Sequence, residues 1–372
     1  MNQRKIIVYY PSKITGGAEY LLKNAIELLI CDYEVKIYDI ENGWLSSNIQ
    51  DVEVVTLNNN LKYELDEDTV LITTANLVRK LDAVFSGEFK VLAWVVHPLN
   101  TIPQVPKLGG IQFKPFIKNI LKKTILKEEY FRLNYLTEYL IDNNSLYVMD
   151  DACRDSIESY FGFSVKSYLP VTLPSTKLEM LNSVAIDFQD DINCVWLGRL
   201  DGQFKNPILI HTLKVINNFA KTCKNKIIFR IIGSGAGYNE VFEFAKTLEF
   251  LRIEFIEEAR GEALKEILIN SNIGFAMGTS ALEIAACFVP TVLLDASYSR
   301  VSDEYKYQWL FDVKGYTLGR IIDVSLDKTM GNMQTIGDVF NQLVYSHAEL
   351  SLKSRKHVEV NHSKVVIDEL LK

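Results

Sequence analysis

The sequence predicts two doubly wound α/β domains in one chain, on three observations. Short apolar, β-rich runs alternate with stretches of helical spacing, the pattern of parallel sheets flanked by helices. The alternation runs through the first half and starts again after Pro170. Two prolines interrupt the short extended segment Leu169 to Ser175 (LPVTLPS) between the two runs. The chain has 372 residues, 48% of them hydrophobic and 23% charged, so each half can bury a core of its own.

In the first half, Lys5 to Tyr10 (KIIVYY) reads as a buried strand. A loop with Gly16 and Gly17 follows, then a helix over Ala18 to Ile30. Tyr33 to Ile40 reads as a strand before the turn residues Asn42 and Gly43. Val70 to Thr74, Val91 to Val96 and Leu146 to Met149 read as further strands. In the second half the expected strands are Asn193 to Leu197, Lys226 to Ile232, Arg252 to Ile256, Ile273 to Met277 and Thr291 to Leu294. The expected helices are Pro207 to Phe219, Tyr238 to Glu249, Ala263 to Asn270 and Ser280 to Cys287. A last helix is expected at about 354–372. The domains are then 1–170 and 174–353, with the last helix a candidate to pack back on the first.

A net charge of −7 argues against a nucleic-acid-coating protein. Five scattered cysteines without CxxC spacing point away from a disulfide framework or zinc site and toward a reducing compartment. Asn2, Gln3, Arg4 and Lys5 lead into a strand-length apolar run and then Pro11, which does not read as a signal peptide. No apolar run approaches the roughly 20 residues that span a bilayer. A cytoplasmic location is the expectation.

The most specific stretch is Met277 to Pro290, MGTSALEIAACFVP. A glycine turn lets backbone approach a ligand closely. The first turn of a helix offers unpaired N–H groups and a partial positive charge, suited to a diphosphate. Glu283, one turn in, can accept hydrogen bonds from ribose hydroxyls. The competing reading is an amphipathic helix with a surface glutamate. Trp196 to Pro207, WLGRLDGQFKNP, puts Arg199 and Lys205 at the carboxyl end of a strand, where open α/β sheets bind ligands. Arginine holds phosphate bidentately and lysine as a point charge. Two solvated loop charges are the alternative. Phe229 to Gly235, FRIIGSG, is a strand running into a glycine turn.

Together these segments resemble the donor-binding half of GT-B glycosyltransferases, particularly the family 4-like branch, over about residues 192–295. Gly278, Thr279, Ser280, Ala281, Glu283, Ala285, Ala286 and Pro290 fit its glycine turn, glutamate helix and following strand. Arg199 and Lys205 match its cation pair at a spacing one residue longer than the commonest form. Gly233 falls in the turn under the nucleotide, and Ile256 where relatives meet the base. PSKITGGAE, with Gly16, Gly17 and Glu19, resembles the glycine loop after the first strand. His97 ends VLAWVVH, where relatives place a residue facing the reacting sugar, and imidazole chemistry suits a base there. One departure is that relatives often carry two glutamates eight positions apart. Glu283 matches the second, while the first position holds Phe275.

The resemblance implies a GT-B fold, two Rossmann-like domains facing across a cleft. It implies a glycosyltransferase moving a sugar from a nucleoside diphosphate sugar, UDP ahead of GDP, to a glycan or lipid-linked acceptor. Bacterial surface polysaccharide, O-antigen or capsule within lipopolysaccharide-type assembly, is the expected setting. Arg199 and Lys205 would stabilise the departing diphosphate, Gly278 to Ala281 and Glu283 would hold the nucleotide, and His97 would face the reacting centre. No cofactor and no metal are expected. The branch implies retention of configuration, which Phe275 leaves open. A GT-B sugar-nucleotide epimerase and a non-catalytic nucleotide-sugar-binding protein are the rival readings. Residues 107–132 carry seven Lys/Arg against Glu128 and Glu129, interleaved with apolar residues. That composition resembles a segment lying on an anionic membrane, against the alternative of a helix packed on its own domain.

Overall fold

The computed structural model describes residues 5–14, 16–58, 60–97, 100–102, 127–173, 191–202, 204–322, 333–364 and 366–367. The chain divides into two compact units, Met1–Pro174 with Ile367–Lys372, and Ser175–Val366.

In the first unit, strands β1 (Lys5–Tyr9), β2 (Glu34–Asp39), β3 (Glu53–Thr56), β5 (Thr69–Thr74), β7 (Lys90–Val95) and β8 (Leu146–Val148) form one sheet in the order β3-β2-β1-β5-β7-β8. Every pairing in it is parallel. Strands covered on both faces read as continuous apolar runs, which is why IIVY and VLIT are legible. Strands β4 (Tyr63–Leu65) and β6 (Phe85–Gly87) make a separate parallel pair. Here the ring of Phe85 meets Tyr9 and Tyr38 edge-on at 5.4 and 5.2 Å. The helix Gly17–Leu29 buries Leu21, Leu22, Ala25, Ile26, Leu28 and Leu29.

In the second unit, β9 (Ile192–Leu197), β10 (Ile227–Ile232), β11 (Leu251–Ile256), β12 (Ile273–Ala276), β13 (Thr291–Leu293) and β14 (Gln308–Trp309) order as β11-β10-β9-β12-β13-β14. All pair in parallel except the edge strand β14. Helices Asn206–Ala220, Tyr238–Ala245, Gly261–Ile269 and Thr279–Ala286 connect the parallel strands. The core gathers Trp196, Phe229, Phe275, Trp309 and Phe340, with Phe229 and Phe275 stacked at 5.7 Å. In both sheets the chain steps outward from its first strand, then returns past it to build the other side. The strand order therefore reverses between β1 and β5 and between β9 and β12, and such switch points open a crevice at the carboxyl ends.

Every strand named from the sequence is present, with ends shifted by a residue or two, as helix and strand ends commonly are. Strands β3, β4, β6 and β14 come in addition to those, and the longer helices differ in three places. The helix from Tyr238 stops at Ala245, because Thr247 and Leu248 turn back to Phe244 and Ala245 in tighter i to i−3 bonds and Asn217 accepts the amide of Phe250. The helix Lys127–Asp142 overlaps the 107–132 segment only in its first turns and runs well beyond it, and the helix Asp151–Phe161 has no counterpart among the expected elements. The first buries only the narrow stripe Leu133, Thr137 and Leu140. The second is announced by its ends: Asp150 caps the amide of Cys153 at 2.8 Å and Gly162 closes it at φ +83. The last helix begins far earlier than 354. It runs Ile336–Asn361, opened by a Thr335–Asp338 capping box and kinked at Ser346, and ends before His362. Ile367 then lies among Ala25, Leu29, Leu92, Trp94 and Leu169 of the first unit. The expected tail at 368–372, the end of the interdomain segment at 174–175 and most of the basic stretch, 107–126, lie outside the described residues.

Candidate functional site

The switch point of the second sheet carries the motifs. Trp196 on β9 pairs with Phe275 on β12. Both strands run the same way, so the turn at Gly198 and the turn at Met277–Gly278 leave the sheet side by side.

The turn after β9 is fixed by backbone. Gly198 donates to Ile232 at 3.0 Å, Leu200 to Ser234 at 2.9 Å, and Gly237 to Leu200 at 2.8 Å. This ladder continues the β9–β10 pairing beyond the strands and presses two loops together. Gly233 makes it possible. Its φ is +147, and a Cβ there would overlap the carbonyl oxygen of Gly198. Its own amide donates to Ile256 at the end of β11, 2.9 Å away.

Arg199 and Lys205 emerge from this clamped turn. Asp201 accepts from the amides of Phe204 and Lys205, both at 3.3 Å, which folds the chain so that Lys205 leads into the helix Asn206–Ala220. Asn206, fully buried, ties that helix start to the glycine turn by donating to Gly237 at 2.9 Å and Glu240 at 2.7 Å. Burial lowers the pKa of Lys205. The charge of Arg199 lowers it further, and Asp201 opposes the shift. Among the described residues no carboxylate forms an ion pair with Arg199 or Lys205. Two neighbouring cations, whose charge Asp201 offsets only in part, suit an anion.

The turn after β12 offers the second half. Gly278 precedes the helix Thr279–Ala286 with φ +65 and ψ −148, a backbone conformation that side-chain-bearing residues rarely adopt. Space beside its α-carbon is open. The helix has no side-chain cap, so the amides of Thr279 and Ser280 point outward uncapped. Ala281 is fully buried and packs the helix onto the sheet. Glu283 is half-buried, and burial, helped by the Glu283 charge, pushes the Cys287 thiol one turn on up to about 11.

Phe275 has a plain explanation. It is fully buried on β12, and only Met277 and Gly278 join that strand to the helix. The position eight before Glu283 therefore faces the core. Phe275 is a core residue, stacked on Phe229.

Arg199, Lys205, Gly233, Ile256, Gly278 to Ala281 and Glu283 are thus brought to one edge of one sheet. Gly16, Gly17, Glu19 and His97 belong to the first unit. Glu19 is 4% exposed and accepts from Ser12 at 2.9 Å; the Tyr10 phenol, also bonded to it, is pushed up to about 12, chiefly by burial. Its visible role is to shape the glycine loop. His97 is exposed just beyond β7, where Asn100 accepts from the amides of Val96 and His97 at 3.0 and 2.8 Å. Asp201 and Asn206 escaped the sequence reading. The signal for Asp201 is an Asp four residues before a helix-leading lysine, a local cap written in LDGQFK. Among the described residues no group of three or more His, Cys, Asp or Glu gathers as a metal site. None of their helices is long and apolar enough to cross a membrane.

No family model and no curated protein matches the sequence. The fold does match known structures. TarM superposes with a TM-score of 0.58 at 9% identity, covering 99% of this chain and 98% of that one. Anabaena HepE in complex with UDP gives 0.55 at 10% identity, with the same coverage of both chains. WaaG, a glycosyltransferase involved in lipopolysaccharide biosynthesis, gives 0.51 at 10% identity over 98% of each chain. Likeness at this identity speaks to architecture, and with the strand orders above it is decisive there: the chain has the GT-B glycosyltransferase fold.

Proposed function

We propose that the protein is a glycosyltransferase that moves a sugar from a nucleoside diphosphate sugar to a glycan or lipid-linked acceptor. The observation that carries the reading is Arg199 beside Lys205, without an ion-pair partner among the described residues, next to the uncapped helix start at Gly278. The two cations neutralise the diphosphate as it leaves, and preorganised charge of this kind lowers the barrier for a departing anion. The amides of Thr279 and Ser280 take phosphate oxygens, and Glu283 takes the ribose hydroxyls. The cations supply what a metal would otherwise supply, so transfer proceeds without one. Retention of configuration is the expected outcome, with His97 facing the transferred sugar.

UDP is favoured over GDP because HepE, of the same fold, was captured with UDP. Assembly of bacterial surface polysaccharide fits the lipopolysaccharide role of WaaG. Peripheral contact with the inner face of the cell membrane is supported by composition at 107–132 and by the helix Lys127–Asp142. On that helix Phe131, Tyr135 and Tyr139, one turn apart, stand 59, 72 and 55% exposed. Aromatic side chains with polar tips suit a headgroup boundary.

Calorimetric titration of UDP, GDP and ADP into wild type and Glu283→Ala, with and without EDTA, tests the site. One nucleotide binding tightly, weakened in the mutant and unaffected by EDTA, supports it. No binding of any of them to folded protein overturns it. Product analysis separates the rivals: an epimerase alters the donor without acceptor, and a binding protein never turns over.

A further inference from the structure

We infer that Asp295 is a positioning residue that sets the Gly278 turn in place against the Arg199–Lys205 turn. The inference rests on the donor-site reading above and extends it to a residue outside the ligand-facing set.

Asp295 follows β13 and is 6% exposed. One carboxylate oxygen accepts the amide of Arg320 at 2.8 Å. The other accepts the hydroxyl of Tyr305 at 3.1 Å. The segment held this way, Leu318 to Ile322, is laced onto the end of β13. Ala296 donates to Arg320 at 2.6 Å, and Ile322 donates to Ala296 at 2.9 Å. Leu318 in turn accepts the amide of Gly278 at 2.7 Å. Asp295 therefore reaches the Gly278 turn through one bridging segment.

The same strand end reaches the other turn. Ser297, two residues on, donates to the carbonyl of Phe204 at 2.9 Å, next to Lys205. Both halves of the diphosphate site are thus moored to residues 295–297. A carboxylate suits the junction because it accepts on both oxygens, from the Arg320 amide on one and the Tyr305 hydroxyl on the other. Burial raises its pKa, while the Arg320 amide, the Tyr305 hydroxyl and the Arg320 charge oppose the rise. In the sequence, TVLLD shows an acid ending an apolar strand, which is the readable trace of this role.

The test is hydrogen exchange of the Gly278 amide, referenced to the Phe275 amide inside β12, together with UDP titration, on wild type, Asp295→Ala, Asp295→Asn and Tyr305→Phe. In Asp295→Ala, Gly278 exchange rises at least about tenfold relative to Phe275, and UDP affinity falls about tenfold. Asp295→Asn keeps an acceptor for the Arg320 amide and a donor for the Tyr305 oxygen, so it stays within about threefold of wild type on both readouts. Tyr305→Phe falls between, and it carries the test if Asp295→Ala does not fold. A purely global role moves both amides together and leaves UDP affinity unchanged in the folded fraction; that result overturns the inference. If wild type binds no nucleotide, the proposed function fails, and the Gly278 to Phe275 exchange ratio decides the positioning role by itself.

Discussion

Gly233 sets its α-carbon against the carbonyl oxygen of Gly198, in a space no side chain can enter. The contact joins the two loops on which the cation pair depends. Gly233→Ala forces them apart and places alanine at a φ it rarely adopts, for a combined cost of about 2–4 kcal/mol. Chemical denaturation should show that loss. A ligand titration of the folded fraction should show weaker diphosphate binding as well.

On the proposed function, Arg199→Ala and Lys205→Ala should each remove one charge-assisted contact to phosphate, worth about 1.5–3 kcal/mol. Affinity for UDP and for inorganic pyrophosphate should fall roughly 10- to 100-fold in each. Thermal stability should hold or rise slightly, since each substitution relieves repulsion from the other cation. Glu283→Ala should separate the two ligands, weakening UDP while leaving pyrophosphate unchanged, because only UDP has a ribose.

On the proposed function, Lys205 should confer a pH dependence on diphosphate binding. Its pKa is lowered from 10.5 by burial and by Arg199, so it loses its charge at a lower pH than an ordinary lysine. Diphosphate affinity should therefore decline as pH rises through that lowered value. Lys205→Arg, cationic throughout, should flatten the decline in a titration series at alkaline pH.

Stability should depend on pH in the acidic range. Burial pushes His357 down to about 4 and also lowers His211 and His347. Their folded pKa values lie below the unfolded value of about 6.5, so between these limits the unfolded chain binds more protons. Stability is then full above about 6.5 and is lost as pH falls toward 4. Denaturation midpoints at pH 7.5 and pH 5 should differ by on the order of 1–2 kcal/mol for His357, and His357→Gln should narrow the gap.

The Arg355 guanidinium, 4% exposed, donates to the carbonyl of Ala286 at 2.5 Å and pairs with Glu359 at 2.6 Å. It closes the C-terminal end of the Glu283 helix and lies over the ring of Phe288, which sits at φ +59. Arg355→Ala leaves that carbonyl and Glu359 without their cation. It should cost about 2–3 kcal/mol in a denaturation midpoint, with Arg355→Lys recovering only part of it.

What the sequence determined by itself was local. Apolar runs such as KIIVYY and NCVWL read as buried parallel strands because they are strand-length and rich in β-branched and aromatic residues. GTSALE and GRLDGQFK mark strand-to-helix turns where glycine, cation and helix start fall next to one another in the chain, the pattern on which the proposed donor site rests. The helices Lys127–Asp142 and Asp151–Phe161 were less legible, since the first turns only a narrow apolar stripe inward. The tertiary structure decided what depends on distant partners. It showed that Phe275 faces the core, because the strand's register with Trp196 and Val292 sets its side. It showed that Glu19 is bound by Ser12 and that the final helix starts at Ile336. It alone joined Asp295 to Gly278 through Leu318 and Arg320. Spacing along a chain fixes which residues share a face. Which face meets which neighbour is settled only when hydrogen bonds and packing close across dozens of residues.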